Sequence, residues 1–358
     1  MKIVIFAGGS GTRFWPLSRK IIPKQFKRIF DGKSTLQLAV ERVEKTFGIE
    51  NIYISTNEKY TSLVKDQIPQ IPTANIVGEP ERRDVAAAIG YNLIRLQKLG
   101  YSGSVAILWS DHLMKNPKNF VSVLKSGEKL IKENPKQLVF VGEKPRYAEN
   151  NLGWIHIGKQ ISQDLYKYVE WYYKPPLEKC KKMFKSGEWV WNPGYWIVDL
   201  DFVVGLYKKH MPGMYKKLMQ IQKAVGTTEE AHVLRKIYPT LEPIHFDNAI
   251  VEKVPAEQAV VLVANMGWSD PGSLYALKEA LVGNGGKNFN SGMVYDLNTT
   301  DSLLINEEKN KVLATIGLKN MVVVNTEDAL IVVHKDNVLE ISDLIKKLEE
   351  DDELKKFV

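Results

Sequence analysis

The stretch that most constrains this chain's fold is its beginning. Lys2-Ile3-Val4-Ile5-Phe6 holds an unbroken apolar run, and it gives way at once to Ala7-Gly8-Gly9-Ser10-Gly11-Thr12-Arg13. An apolar run without polar alternation is a strand covered on both faces, the habit of sheets flanked by helices. The glycines after it let the backbone turn tightly and aim N–H groups at an anion. The pattern then repeats. Leu36 to Thr46 has helical apolar spacing, Asn51 to Ser55 reads as a strand, and Asp84 to Leu99 as an Ala-rich helix. Val105 to Leu108 and Leu138 to Val141 read as strands again. Such alternation predicts an α/β fold with a largely parallel sheet.

From about Gly153 the texture changes. Trp154 to Ile157 and Tyr168 to Tyr173 are aromatic and strand-like, Leu177 to Lys185 reads as a helix, and Trp196 to Val198 and Ala259 to Ala264 as strands. The glycine and asparagine cluster from Gly283 to Gly292 reads as a linker. Beyond it, short β segments near Met293 to Tyr295, Ser302 to Ile305, Val312 to Ala314, Met321 to Val324 and Ala329 to Val333 predict a small β domain, a short coil of β-helix without a strict repeat period. Val338 to Lys347 closes as a helix before a charged tail.

Composition narrows the classes. At 358 residues, 44% apolar and 25% charged, the chain reads as globular and large enough to bury a core. The only cysteine, Cys180, excludes a disulfide framework and a Cys-based zinc site. It sits among lysines on an expected helix, where a structural thiol is the simpler reading than a nucleophile. No apolar run approaches the ~18 residues of a membrane span, and the opening run is too short for a secretory signal, so a cytoplasmic protein is expected. The formal charge is +7. Between Arg13 and Lys33, Arg19, Lys20, Lys24, Lys27 and Arg28 add to a basic stretch that suits nucleic acid, a membrane surface or a small phosphorylated ligand as well as a solvated face.

The glycine loop lacks the Gly-Lys-Ser/Thr of a Walker loop and the third glycine of the dinucleotide fingerprint. Its physics is similar, with Arg13 as a forked cation for phosphate oxygens. A tight strand-to-helix turn with a surface Arg is the bland alternative. The loop is followed by Trp15-Pro16-Leu17-Ser18-Arg19 and Pro23-Lys24-Gln25-Phe26. This run closely resembles the signature of the sugar-1-phosphate nucleotidyltransferases, and its wording is similar to the mannose-1-phosphate guanylyltransferases in particular.

The resemblance extends to about residue 275. It implies nucleotide binding by Ala7, Gly8, Gly9, Ser10, Gly11, Thr12, Arg13, Lys24, Glu79, Pro80 and Asp111. Gly78-Glu79-Pro80 resembles the base-contacting segment, where Glu79 or the backbone nearby would read the two-donor edge of guanine. A surface Glu in a turn is the alternative. Asp111, after the strand Val105 to Leu108, and Asp270, in Gly267-Trp268-Ser269-Asp270, match acids that hold Mg²⁺ in the family. Glu143-Lys144-Pro145 and Glu149 to Ile155 resemble the sugar-binding turn, with Gly153 as a backbone contact. Lys174-Pro175-Pro176 and Trp191-Asn192-Pro193-Gly194 resemble two further motifs, which would put Lys174 on the sugar phosphate and Asn192 on a hydroxyl. Asp247, within His245 to Lys253, would contact the sugar or buttress the site.

Three departures stand out. Tyr173 occupies the place of a Glu, Pro193 that of a Ser, and Arg83-Asp84-Val85-Ala86-Ala87 that of Arg-Asn-Thr-Ala-Pro. Losing a carboxylate that accepts from a sugar diol bears on which sugar is taken. The aromatic cluster Trp171, Tyr172, Tyr173, Trp189, Trp191, Tyr195 and Trp196 reads either as core or as rings stacked on the sugar.

The resemblance implies a Rossmann-like (GT-A-type) nucleotidyltransferase domain over 1–282 with a mixed, mostly parallel sheet. A small C-terminal β domain over 283–358, short and left-handed β-helix-like, would end in a helix. The implied reaction joins GTP and mannose 1-phosphate to give GDP-mannose and pyrophosphate. Arg13, Lys24 and Lys174 would be catalytic, Tyr173 would line the sugar site, and Mg²⁺ would sit on Asp111 and Asp270. Two alternatives stay open, another hexose 1-phosphate as substrate, or an inactive sugar-nucleotide-binding regulator. A homodimer is expected, with no nucleic acid or membrane partner. One activity is expected, without the isomerase extension of longer relatives.

Overall fold

The computed structural model describes residues 1–358 except Ser10, Asp31 and Asn284. The chain divides into two compact units. The first comprises residues 1–8, 37–110 and 114–268; the second comprises 9–36, 111–113 and 269–358.

The strands up to residue 269 are β1 (Lys2–Phe6), β2 (Ile52–Asn57), β3 (Ile76–Glu79), β4 (Ser104–Trp109), the two-residue β5 (Leu113–Met114), β6 (Leu138–Glu143), β7 (Gly153–Ser162), β8 (Leu165–Tyr173), β9 (Trp189–Asp199), β10 (Ala259–Ala264) and the two-residue β11 (Trp268–Ser269). Among the described residues, nine of them form one sheet in the order β3-β2-β1-β4-β9-β6-β10-β8-β7, with β9 also paired to β7. The half from β3 to β4 is parallel, as the apolar runs of β1 and β4 require, and β6 runs parallel to β10. β9 is antiparallel to β4, β6 and β7, so the sheet is mixed.

The expected elements are present with their ends moved outward. The aromatic segment at Trp196 to Val198 belongs to an eleven-residue strand, β9, despite Pro193 within it. Pairing with β7 stops at Asn192 and pairing with β4 starts at Trp196, and the β6 register shifts between Val141 and Glu143. Pro193 lies in that irregular interval, where a missing N–H costs little. Helices that no sequence pattern announced, Leu200–His210, Pro212–Ala224 and Glu230–Ile237, pack with Asp84–Lys98 over one face of the sheet. Gly90 permits this: a Cβ there would lie 2.6 Å from Leu218 Cδ1. Cys180 is fully buried, with its thiol toward the Pro175 carbonyl at 3.3 Å.

In the second unit, within the stretch expected as a linker, Phe289–Ser291 forms strand β12, because these residues pair in parallel with the next rung. The remaining strands are β13 (Val294–Leu297), β14 (Leu303–Asn306), β15 (Leu313–Ile316), β16 (Met321–Asn325) and β17 (Leu330–His334). β12, β14 and β16 stack in parallel, β13 stacks on β15, and β17 closes antiparallel on β16. A nineteen-residue rung emerges that residue types alone did not reveal. Leu303 pairs with Val322 and Val294 with Leu313. The left-handed corners repeat with it, at Asn298 and Gly317 and at Asp301 and Asn320. Asn325 donates its side-chain amide to Asn306 Oδ1 at 2.8 Å, so the rungs are tied by polar ladders as well as apolar ones. Lys278, with no exposed surface, is neutralised by Asp301, which also accepts from Tyr275 Oη at 2.7 Å.

This unit has its own core. Leu303, Ile305, Val322, Val324, Val338, Ile341 and Ile345 from the C-terminal region share it with Phe14, Trp15 and Leu17 of the signature run. No described helix is long and apolar enough to cross a membrane.

Candidate active site

In the first unit, the strand order reverses between β1 and β4, and ligands of open α/β sheets bind beyond the carboxyl ends at such a point. The backbone there is tightly held. Ala7 donates its N–H to Ser55 O at 2.7 Å and accepts from Thr56 Oγ1 at 2.8 Å, and Ser110 donates its N–H to Phe6 O at 3.1 Å. Gly8 follows, exposed.

In the second unit, Gly11 has φ +66°, and a Cβ there would stand 2.5 Å from the Lys24 amide nitrogen. Only glycine fits that close crossing. Gln25 donates Nε2–H to the Gly9 carbonyl at 3.0 Å, and Ser18 Oγ donates to the Gly11 carbonyl. Ser10 and the Thr12 side chain, both expected in the loop, lie outside the described residues. Lys24 Nζ pairs with Asp111 Oδ2 at 2.7 Å and lies 5.2 Å above the Phe14 ring. A small crevice walled largely by apolar residues, Ile29, Phe30 and Leu277 among them, also takes in Phe14, Lys24, Asp111 and Pro271 and so brings three of the predicted segments together. Arg13 joins them, its exposed guanidinium beside Gly272, where a Cβ would be 3.4 Å from Nη1. Asp270, two residues before Gly272, is exposed. Burial alone would raise the Asp111 carboxyl, but Lys24 and His112 outweigh it and hold its pKa down at about 2. It is an anion at any physiological pH. Among the described residues no group of three or more His, Cys, Asp or Glu converges on a metal position.

The signature run is braced from the C-terminal region of the same unit. Arg19 pairs with Asp328 at 2.7 Å while also donating to the Pro16 carbonyl. Trp15 donates its indole N–H to Phe357 O at 2.8 Å, Lys20 pairs with Glu349 at 2.7 Å, and Lys27 with Glu307 at 3.0 Å.

The base-side candidates lie in the first unit. Glu79 ends β3, with Pro80 after it. Its Oε1 accepts from Ser55 Oγ at 2.8 Å and its Oε2 from Tyr238 Oη at 2.7 Å. Asn92 in turn donates to Ser55 Oγ at 2.8 Å. Burial raises the Glu79 carboxyl, and the two hydroxyls offset part of that.

The sugar-side candidates are assembled by sheet register. Gly153 pairs with Tyr173 on one side and Asn192 on the other. Asn192 Oδ1 accepts the Gly194 N–H at 2.9 Å, and Trp109 Nε1 donates to the Gly194 carbonyl at 2.9 Å. Tyr173 is 68% exposed, so it packs no core. Lys174, at φ +46°, lies with Nζ 5.1 Å from the Tyr173 ring centre. Of the aromatic cluster, Trp191, Tyr195 and Trp196 are core, while Tyr173 projects outward. Asp247 stands on a separate short helix, Phe246–Ala249, where burial pushes its carboxyl up to about 6.

Residues 2–283 match the nucleotidyl transferase family, and residues 294–348 match the MannoseP isomerase/GMP-like beta-helix domain. The chain belongs to the nucleotidyl transferase family. This nucleotidyl transferase is 29% identical over 357 residues to the mannose-1-phosphate guanylyltransferase RfbM of Salmonella typhimurium, spanning 98% of this chain and 72% of the relative. A mannose-1-phosphate guanylyltransferase of Escherichia coli is 28% identical, over 97% of this chain and 74% of its own. The fold is shared with the crystal structure of a mannose-1-phosphate geranyltransferase from Thermus thermophilus, at TM-score 0.86 and 24% identity, covering 97% of this chain and 99% of that one.

Several residues that shape this transferase's site were not singled out by sequence reading. Ser55, Asn92 and Tyr238 carry no motif, and no local signal marks them. Asp328, Glu349 and Glu307 lie hundreds of positions from the cations they meet. Glu143 was named only as part of Glu143-Lys144-Pro145; its own signal is a carboxylate two residues after the apolar run Leu138 to Val141.

Proposed function

We propose that this nucleotidyl transferase moves the guanylyl group of GTP onto mannose 1-phosphate, releasing pyrophosphate and forming GDP-mannose. The observation that carries the reading is the gathering of Arg13, Lys24 and Asp111 with the Asp270–Gly272 turn around a loop whose position 11 admits only glycine. Relatives named for this reaction, matching along nearly the whole chain, support the choice of substrates.

A sugar-phosphate oxygen attacks the α-phosphorus, and the bond to the β-phosphate oxygen breaks. The nucleophile is already an anion, so no general base is required. Catalysis is therefore positioning and charge neutralisation. Arg13 and Lys24 take up charge on the triphosphate and on the departing pyrophosphate. Lys174 steers the sugar phosphate, and Asn192 with the Gly153 backbone accepts and donates to sugar hydroxyls. Glu79 has both oxygens engaged by hydroxyls, so it fixes the Gly78–Pro80 backbone, which reads the base. Asp111 and Asp270 supply two hard oxygen donors, which suits Mg²⁺, an ion that keeps several water or phosphate ligands of its own. Bound there, Mg²⁺ would neutralise phosphate charge during the displacement. The division into a catalytic region, 1–282, and a β-rich region, 283–358, a cytoplasmic location and a homodimer belong to the same reading.

Pyrophosphate release across four NTPs and several sugar 1-phosphates, with Mg²⁺ and with chelator, tests it. A Mg²⁺-dependent maximum at GTP with mannose 1-phosphate is expected. A maximum at another hexose 1-phosphate would move the specificity to Tyr173 and Pro193. Absence of release from folded protein would overturn the reading.

A further inference from the structure

Glu143 is a carboxylate with no exposed surface, at the last position of β6. Its neighbours in register are Trp191 on β9 and Ala264 on β10. An isolated carboxylate in such a place is costly, and this one is satisfied from three directions. Met266 donates its N–H to Oε2 at 2.8 Å, and Trp268 donates its N–H to Oε1 at 3.2 Å. Arg146 Nη1 donates to the same Oε1 at 2.8 Å. Arg146 then reaches two further groups. Its Nη2 donates to the Trp268 carbonyl at 2.6 Å, and its guanidinium lies 4.8 Å over the Trp191 ring.

The pair therefore ties together two segments far apart in sequence. One is the turn at 265–268, which Asn116, Asn119 and Lys115 also hold by hydrogen bonds to the carbonyls of Met266, Asn265 and Gly267. From that turn the chain runs two residues to Asp270. The other is Trp191, the residue before Asn192. Replacing a buried ion pair with apolar side chains is often neutral for stability, so stability alone is a weak reason for this arrangement. What it provides is a fixed direction. The planar guanidinium bridges a carboxylate, a carbonyl and an indole face at once, a geometry that a lysine ammonium does not reproduce.

We propose that Glu143 and Arg146 are positioning residues for the sugar phosphate, setting the Trp191–Asn192 segment through the guanidinium and the 265–268 turn through the carboxylate. The inference rests on the reading of the enzyme as a sugar-1-phosphate nucleotidyltransferase. Neither residue is assigned a contact with the reacting atoms.

The experiment compares wild type, Arg146→Ala, Arg146→Lys and Glu143→Gln in steady-state pyrophosphate release, with GTP and mannose 1-phosphate varied separately. Melting temperature and quenching of tryptophan fluorescence by mannose 1-phosphate alone are read in parallel. Arg146 is 41% exposed along its side chain, so its truncation opens no core cavity, and Glu143 keeps its two backbone donors; the melting temperature reads the cost of the lost cation, and Arg146→Ala carries the test even if Glu143→Gln fails to fold. Arg146→Ala is expected to raise KM for the sugar phosphate about tenfold and weaken its quenching in step, on the scale expected of a small misplacement. KM for GTP should stay within about twofold, and Arg146→Lys should recover only part of the loss. Unchanged sugar KM in Arg146→Ala, or both KM values rising together with a lower melting temperature, would overturn the proposal. Wild-type protein silent with every sugar phosphate would overturn the functional reading beneath it, a result distinct from active wild type with indifferent variants.

Discussion

The residues proposed to handle phosphate and those proposed to face the sugar are built by different means. Arg13 and Lys24 are charged groups on short 3₁₀ turns and Asp111 and Asp270 on loops, and the run bearing the first two is braced by ion pairs and a shared core with the C-terminal β-helix. Gly153, Tyr173 and Asn192 come instead from three neighbouring strands, held by sheet register and neutral hydrogen bonds. The difference follows from the tasks. Neutralising a triphosphate takes fixed cations, and Lys24 is held in place by its pair with Asp111. Distinguishing one hexose from another takes hydroxyl partners at set distances, and a strand ladder sets distances well.

Variants that remove charge should therefore cost the most. Arg13→Ala and Asp270→Ala are each expected to lower turnover by about 10²–10³, the usual loss for one preorganised charge at a developing anion. Single-turnover formation of the nucleotide sugar measures it, and near-wild-type turnover in either variant would remove that residue from the phosphate side.

The bracing should matter less, and through the same step. Arg19→Ala deletes the link to Asp328 and to the Pro16 carbonyl without touching the pocket. Turnover should fall roughly tenfold, within the range that slight misplacement of a catalytic group produces. KM for the sugar phosphate should hold. A change confined to sugar KM would mean that the β-helix serves the sugar side instead.

The contrast also explains what was legible in the sequence. The phosphate side is written in one short run, because a glycine loop, an arginine and a lysine within eighteen residues must lie close together. Strand β1 was equally plain, since no polar residue interrupts Ile3 to Phe6. The sugar side was visible only as scattered motifs, and their convergence depends on the pairing of β7 with both β8 and β9, which no local pattern dictates. The Glu79–Ser55–Tyr238 chain and the Arg19–Asp328 pair were illegible for the same reason: each joins residues whose proximity is set by the completed fold. Within the linker expected at 283–292, Phe289–Ser291 forms β12 because a β-helix rung takes its partner from the next turn of the coil, and that period shows only in the pairing. The strand expected at Trp196 to Val198 extends back through Pro193 to Trp189, and the irregular interval between the β7 and β4 pairings is what accommodates the proline.

The central claim is that chemistry and sugar choice reside in these two differently built sets of residues. The most direct test is the ratio of kcat/KM for mannose 1-phosphate to that for glucose 1-phosphate, measured in wild type, Lys24→Ala and Asn192→Ala. Lys24→Ala should lower both values together and leave the ratio within about twofold, whereas Asn192→Ala should shift it roughly tenfold or more, as loss of a hydroxyl partner does. A ratio that moves with Lys24→Ala and stays constant with Asn192→Ala would contradict the account.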